Sequence, residues 1–108
     1  MELTGKCKVE FEKYWEGITT PAISGELHHF GVVTNFKVGI KDLTDSMKYG
    51  VLVDFFDSVG IEVNIYCGIW DNNFYVCVQK IQEEINYTKR PEARTKAIEK
   101  ANEIFNKQ

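Results

Sequence analysis

The sequence predicts an α+β fold: a small antiparallel sheet of two to four strands, packed on one face by three amphipathic helices. Three observations carry this. Between Ile61 and Gln79 apolar and polar residues alternate with period two around Asp71-Asn72-Asn73, as in a half-buried hairpin. Upstream, Met47, Val51, Phe55 and Val59 recur every fourth residue and stop at Gly60, as on one face of a helix with a glycine end. Near the C-terminus, Ala97, Ile98, Ala101, Ile104 and Phe105 form a second helical stripe.

The first helix is expected over about residues 5–17. Cys7, Phe11, Tyr14, Trp15 and Ile18 share one face, and Lys6, Glu10, Lys13 and Glu16 lie away from it. Thr4 is a candidate N-cap through its hydroxyl. Gly17, followed by Thr19, Thr20 and Pro21, reads as the stop. Residues 19–29 then read as a loop punctuated by Pro21 and Gly25. Over residues 30–40 Phe30, Val32, Phe36, Val38 and Ile40 share a parity that suits a strand, which Thr34, Gly31 and Gly39 weaken.

The second helix is expected over about 46–59, capped by Thr44, Asp45 or Ser46, with Leu52 and Phe56 beside the ladder and Asp54 and Asp57 on the far side. Gly60 occupies the position where a helix end takes positive φ, and Ile61 supplies the apolar contact that closes such an end. A hairpin over about 61–79 follows. Ile61, Val63, Ile65, Cys67 and Ile69 alternate with Glu62, Asn64, Tyr66, Gly68 and Trp70. On the return, Phe74, Val76 and Val78 alternate with Tyr75, Cys77 and Gln79. A tight primed turn at Asn72-Asn73 suits residues that tolerate the left-handed region. It sets Trp70 opposite Tyr75, with odd residues of the first strand sharing a face with even residues of the second. Residues 81–88 continue the sheet or add a strand. The third helix is expected over about 91–106, with Pro91 in its first turn.

The 108 residues fit one domain, 1–108, and 44% hydrophobic content supplies a core without disulfides or metal. No apolar run approaches the ~20 residues of a membrane span, and the N-terminus lacks the apolar block of a signal peptide. A cytoplasmic location is the expectation. The three cysteines, Cys7, Cys67 and Cys77, are an odd number without C-x-x-C spacing, so they read as small buried hydrophobes. Net charge is −3, yet residues 89–108 carry six basic against three acidic residues. The bulk field repels nucleic acid, and only that last segment attracts anions.

LTGKCKVEFEKYW, YGVLVDFFDSVGI and RPEARTKAIEKANEIFN together resemble stretches of small uncharacterised proteins of gut bacteria (Bacteroides-like) and of their phages or mobile elements. The resemblance implies a compact domain in such genomes and carries no activity to any residue.

Four constellations are candidates for function. Tyr66, Trp70 and Tyr75 fall on the outward face of the hairpin. They either stabilise the strand pair, lie under the first helix, or form an exposed aromatic surface for a protein partner or a homodimer mate. Lys89, Arg90, Arg94 and Lys96 crowd the start of the third helix. There they oppose the helix dipole but suit a phosphate of nucleic acid, unless Glu83, Glu84 and Glu92 neutralise them. His28-His29 has no recognisable ligand spacing around it and reads as loop rather than a zinc site. Asp54 and Asp57, with Asp42 and Asp45 upstream, share a helix face but have no visible pocket or base and read as solvated. No P-loop, nucleotide-binding fingerprint, G-x-S-x-G or H-E-x-x-H occurs. The sequence therefore points to a non-catalytic interaction module without cofactor, with a nucleic-acid-associated accessory protein as the alternative.

Overall fold

The structure, a computed structural model, describes residues 1–29 and 39–108, with side chains described for 1–17, 39–83 and 85–108. Its elements run α1 (Gly5–His29), a 3₁₀ turn (Ile40–Asp42), α2 (Asp45–Ser58), β1 (Val63–Cys67), β2 (Phe74–Val78), β3 (Ile81–Tyr87) and α3 (Arg90–Lys107). Most of the expected strand over 30–40 lies outside the described residues.

α1 is longer than its sequence signals. The backbone stays helical through Gly17 and Pro21 to His29, where a stop and a loop are expected. Pro21 has no N–H for the Gly17 carbonyl, a loss of about 3 kcal/mol inside a helix.

The start of α1 is capped from the other end of the chain. The carboxamide oxygen of Asn106 accepts the Cys7 N–H at 2.9 Å, and its nitrogen donates to the Thr4 carbonyl at 2.9 Å. Asn102 accepts the Thr4 N–H at 3.0 Å and donates to the Thr4 hydroxyl at 3.0 Å. The orphan N–H that Thr4 was expected to cap is therefore taken by a side chain of α3. Gly5 sits at φ +58°, and a Cβ there would lie 3.1 Å from the Asn106 oxygen, so the clamp needs glycine. Beneath it Cys7 is buried, which pushes its thiol up to about 11.

α2 follows its local signals closely. The Thr44 hydroxyl accepts the Met47 N–H at 3.3 Å. At the other end Ile61 N–H reaches the Phe56 carbonyl at 2.8 Å and Gly60 N–H the Asp57 carbonyl at 3.1 Å, with Gly60 at φ +84°. This is the paired 6→1 and 5→2 closure of a glycine-ended helix, and Ile61 is buried as its apolar plug. Leu52, Phe55 and Phe56 are buried, whereas Met47 and Val59, at the two ends of the expected ladder, are exposed.

Among the described residues the sheet has three antiparallel strands in the order β1-β2-β3. β1 pairs with β2 as Val63↔Val78, Ile65↔Val76, Tyr66↔Tyr75 and Cys67↔Phe74. The expected parity holds, but Tyr75 faces Tyr66 instead of Trp70, four positions earlier on the first strand. Ile69 and Trp70 have left the sheet. The primed turn falls elsewhere, at Gln79-Lys80, whose φ values of 52° and 64° fit a two-residue hairpin loop between Val78 and its partner Ile81. Residues 81–87 add the third strand. On it three residues, 83–85, stand opposite Val76 alone, so β3 is bulged.

The core lies between the sheet and the helices. Ile61, Val63, Val76 and Val78 meet Leu52, Phe55 and Phe56 of α2, Cys7 and Phe11 of α1, and Ala93, Ala97, Ile98 and Ala101 of α3. Alanines at every fourth position let α3 lie close against the sheet. Phe55 is the hub: its ring is 5.4 Å from Phe11, 5.5 Å from Tyr14, 5.2 Å from Phe56 and 6.1 Å from Phe105. Centroid spacings of this size are those of favourable aromatic pairs.

Candidate interaction surface

Gly68 begins a six-residue loop, Gly68–Asn73, that joins β1 to β2. Its N–H donates to the Asn73 carbonyl at 2.7 Å, closing the ladder. Inside the loop Asp71 accepts the Asn73 N–H at 3.0 Å, the side-chain-to-backbone turn that aspartate favours. The Tyr75 hydroxyl donates to the other oxygen of the same carboxylate. Asn73 donates in turn to Asn86 on β3 at 3.2 Å. Asn72 takes φ 58°, a conformation asparagine tolerates.

A Cβ at Gly68 would overlap the Asp71 carboxylate and lie 3.0 Å from the Tyr75 ring. The missing side chain at Gly68 leaves room for the carboxylate to fold back over the strand end, and the six-residue loop stands in place of the tight Asn72-Asn73 turn. The hydrogen bonds leave their mark on titration. The Tyr75 hydroxyl, then the Asn73 N–H, hold the Asp71 carboxyl below its ordinary value, and the same bond raises Tyr75.

The loop is thus fixed by polar contacts, yet it carries two large apolar side chains that touch little. Trp70 is 96% exposed and Ile69 is 88% exposed. Tyr66, at the end of β1 leading into the loop, is 50% exposed. Of the expected aromatic surface, Tyr66 and Tyr75 form a cross-strand pair, and Tyr75 is partly buried and tied to Asp71. Trp70 stands apart from both strands. The parity argument places Ile69 inside; the loop turns it out. The signal for this lay in Gly68 followed by Asp71, a residue without a side chain three positions before a carboxylate.

Burial raises the Tyr49 pKa and the charges of Arg94 and Arg90 oppose it, so two of the four cations stand near one ring. Arg90 lies 4.8 Å over the Phe74 ring. Arg94 lies 5.4 Å over Tyr49 and donates to the Ser46 hydroxyl at 2.9 Å. Lys96 pairs with Glu99 at 3.2 Å, which raises its pKa. Lys89 is the exposed residue before the helix. Aromatic faces and Glu99 offset the helix-start repulsion.

Asp54 and Asp57 are exposed, and so are Asp42 and Asp45. The side chains of His28 and His29 lie outside the described residues. Among the described residues no group of three metal-ligating side chains comes together, and no helix is long and apolar enough to cross a membrane. Cys7 and Cys77 are buried as expected; Cys67, the last residue of β1, is exposed. A groove of about 530 Å³ between α1, the 3₁₀ turn and α2 is lined by Phe11, Trp15 and Leu52 with Lys8, Lys48 and Glu12. Its mixed charges select no ligand class. In comparisons with known proteins, no family model, curated protein or solved structure matches this chain.

Proposed function

We propose that this chain is a small non-catalytic protein-interaction module of the cytoplasm that presents Ile69 and Trp70, at the tip of the β1–β2 loop, to a protein partner. The observation that supports this is the combination of near-complete exposure with a rigidly bonded loop. Among the described residues, an exposed Trp beside a β-branched apolar residue has no packing partner. Tryptophan is among the side chains that concentrate binding energy at interfaces. A loop already held in one shape loses little conformational entropy on docking. Free thiols at all three cysteines suit a reducing compartment.

The test is a photo-crosslinking residue at Asn72, beside the tip, with capture from native host lysate. The Ile69→Ser/Trp70→Ala double variant should lose the captured species while its melting temperature stays within a few degrees of the wild type. Truncation of an anchor of this kind weakens association by roughly 30-fold or more. The same captured species from both proteins refutes the reading.

A further inference from the structure

Arg90 and Arg94 stand four positions apart on α3 and share a face of it. Arg90 lies over the Phe74 ring and Arg94 over Tyr49. The charges of both, Arg94 the more strongly, act on the Tyr49 hydroxyl. Like charges at this helical spacing repel. Among the described residues no carboxylate pairs with either arginine, although Asp45 and Glu92 are close in sequence to the site and exposed.

The polar groups gathered here are donors. A guanidinium held over a ring keeps its in-plane N–H groups for other acceptors. Arg94 gives one N–H to the Ser46 hydroxyl at 2.9 Å. Among the described residues Arg90 gives none. Ser46, in the first turn of α2, accepts the Arg94 bond and keeps its own O–H to donate. Arg90 and Ser46 are exposed and Arg94 is half-buried, so a ligand can reach all three. Lys96, on the same helix, is already taken by Glu99. The chemistry that satisfies such a set is an anion with several acceptor oxygens, and the planar fork of arginine matches phosphate.

We infer that Arg90, Arg94 and the Ser46 hydroxyl form a binding site for the phosphate group of a small phosphomonoester. The two guanidiniums donate to its oxygens, and Ser46 turns its proton to the same group. Phe74 and Tyr49 are positioning residues: they hold the guanidiniums in place without neutralising them. Charge selects a small ligand over a polymer. A net charge of −3 repels a polyanion along its length, whereas a single phosphate meets only the local pair of cations. The site uses no residue of the Ile69–Trp70 tip and does not rest on the protein-binding reading above.

The test is an NMR titration of the full chain with methyl phosphate, and separately with inorganic phosphate, at fixed ionic strength. Both probes should give saturable shifts centred on Ser46, Tyr49, Arg90 and Arg94. Arg94→Gln should weaken binding roughly tenfold or more. Lys96→Gln, which removes the same charge from the same helix, should leave it unchanged. Circular dichroism checks that both variants fold, and Arg90→Gln, at an exposed position, repeats the test if Arg94→Gln loses structure. Shifts no larger than those given by sodium chloride, or equal weakening by Arg94→Gln and Lys96→Gln, overturn the inference. Binding of inorganic phosphate without methyl phosphate also overturns it, since the ligand would be the free ion. So does a single strand of about eight nucleotides that binds through the same residues roughly 100-fold more tightly than methyl phosphate, since the site would then belong to nucleic acid.

Discussion

At the start of α1 and at the tip of the β1–β2 hairpin, a glycine leaves room for a polar side chain that ties down backbone. Beside Gly5, Asn106 accepts the Cys7 N–H and donates to the Thr4 carbonyl. Beside Gly68, Asp71 accepts the Asn73 N–H and the Tyr75 hydroxyl. The results are opposite. The first clamp seats Cys7 and Phe11 in the core; the second holds Ile69 and Trp70 in water. The difference lies in where the bonds come from. Asn106 belongs to another helix, so its bonds pull two elements together. Asp71 belongs to the loop itself and fixes its shape without drawing it onto anything. Order and burial are separate properties, and the hairpin tip has one without the other.

That contrast is open to experiment. The largest effect belongs beneath the clamp: Phe55→Ala should destabilise the fold by about 3–5 kcal/mol in chemical denaturation, because the hub ring touches four other rings. Asn106→Ala should cost about 1–3 kcal/mol, since the part-buried Cys7 N–H loses its acceptor and Thr4 loses a tie. Gly68→Ala should cost about 1 kcal/mol and shift the amide resonances of Asn73 and Tyr75 while those of α3 stay in place, because the added methyl displaces the Asp71 carboxylate within an exposed loop. Trp70→Ala should change stability by less than about 0.5 kcal/mol. A larger loss in that variant would mean that the ring packs on the fold, which would erase the contrast.

The smallest effect is electrostatic. Asp71 titrates below an ordinary carboxylate because it accepts from Tyr75 and Asn73. Its contribution is present above the ordinary carboxylate range and is lost as pH falls through the lowered folded-state value. The carboxylate is fully exposed, so the change is local. An NMR titration should show Asn73 and Tyr75 moving together at acid pH while Thr4, Cys7 and Asn106 do not move.

Much of the architecture was legible residue by residue. The capping stretch Thr44–Ser46, the Gly60-Ile61 closure, the strand parity and the alanine stripe of α3 all rest on neighbours within a few positions, where spacing alone sets geometry. The register of the hairpin is not legible in the period alone, because the same parity allows registers that differ by two residues and the loop length chooses among them. Ile69 leaves the inward face because parity describes a strand only as far as the strand runs. The turn at Gln79-Lys80 carries no glycine or asparagine to announce it, so its positive φ values follow from the demands of the strands on either side. The cations of α3 cluster in sequence; in space Arg90 and Arg94 stay together beside Phe74 and Tyr49, and Lys96 pairs with Glu99.

The sequence alone determined the α+β class, the order of α2, the hairpin and α3, and the strand parity, since each depends on a local period or a cap. Tertiary structure decided the cap of α1, supplied by a side chain 99 positions away, the fate of each cation, and which apolar residues stay in water. Those outcomes depend on which surfaces meet and which glycines leave room, and a period along the chain encodes neither.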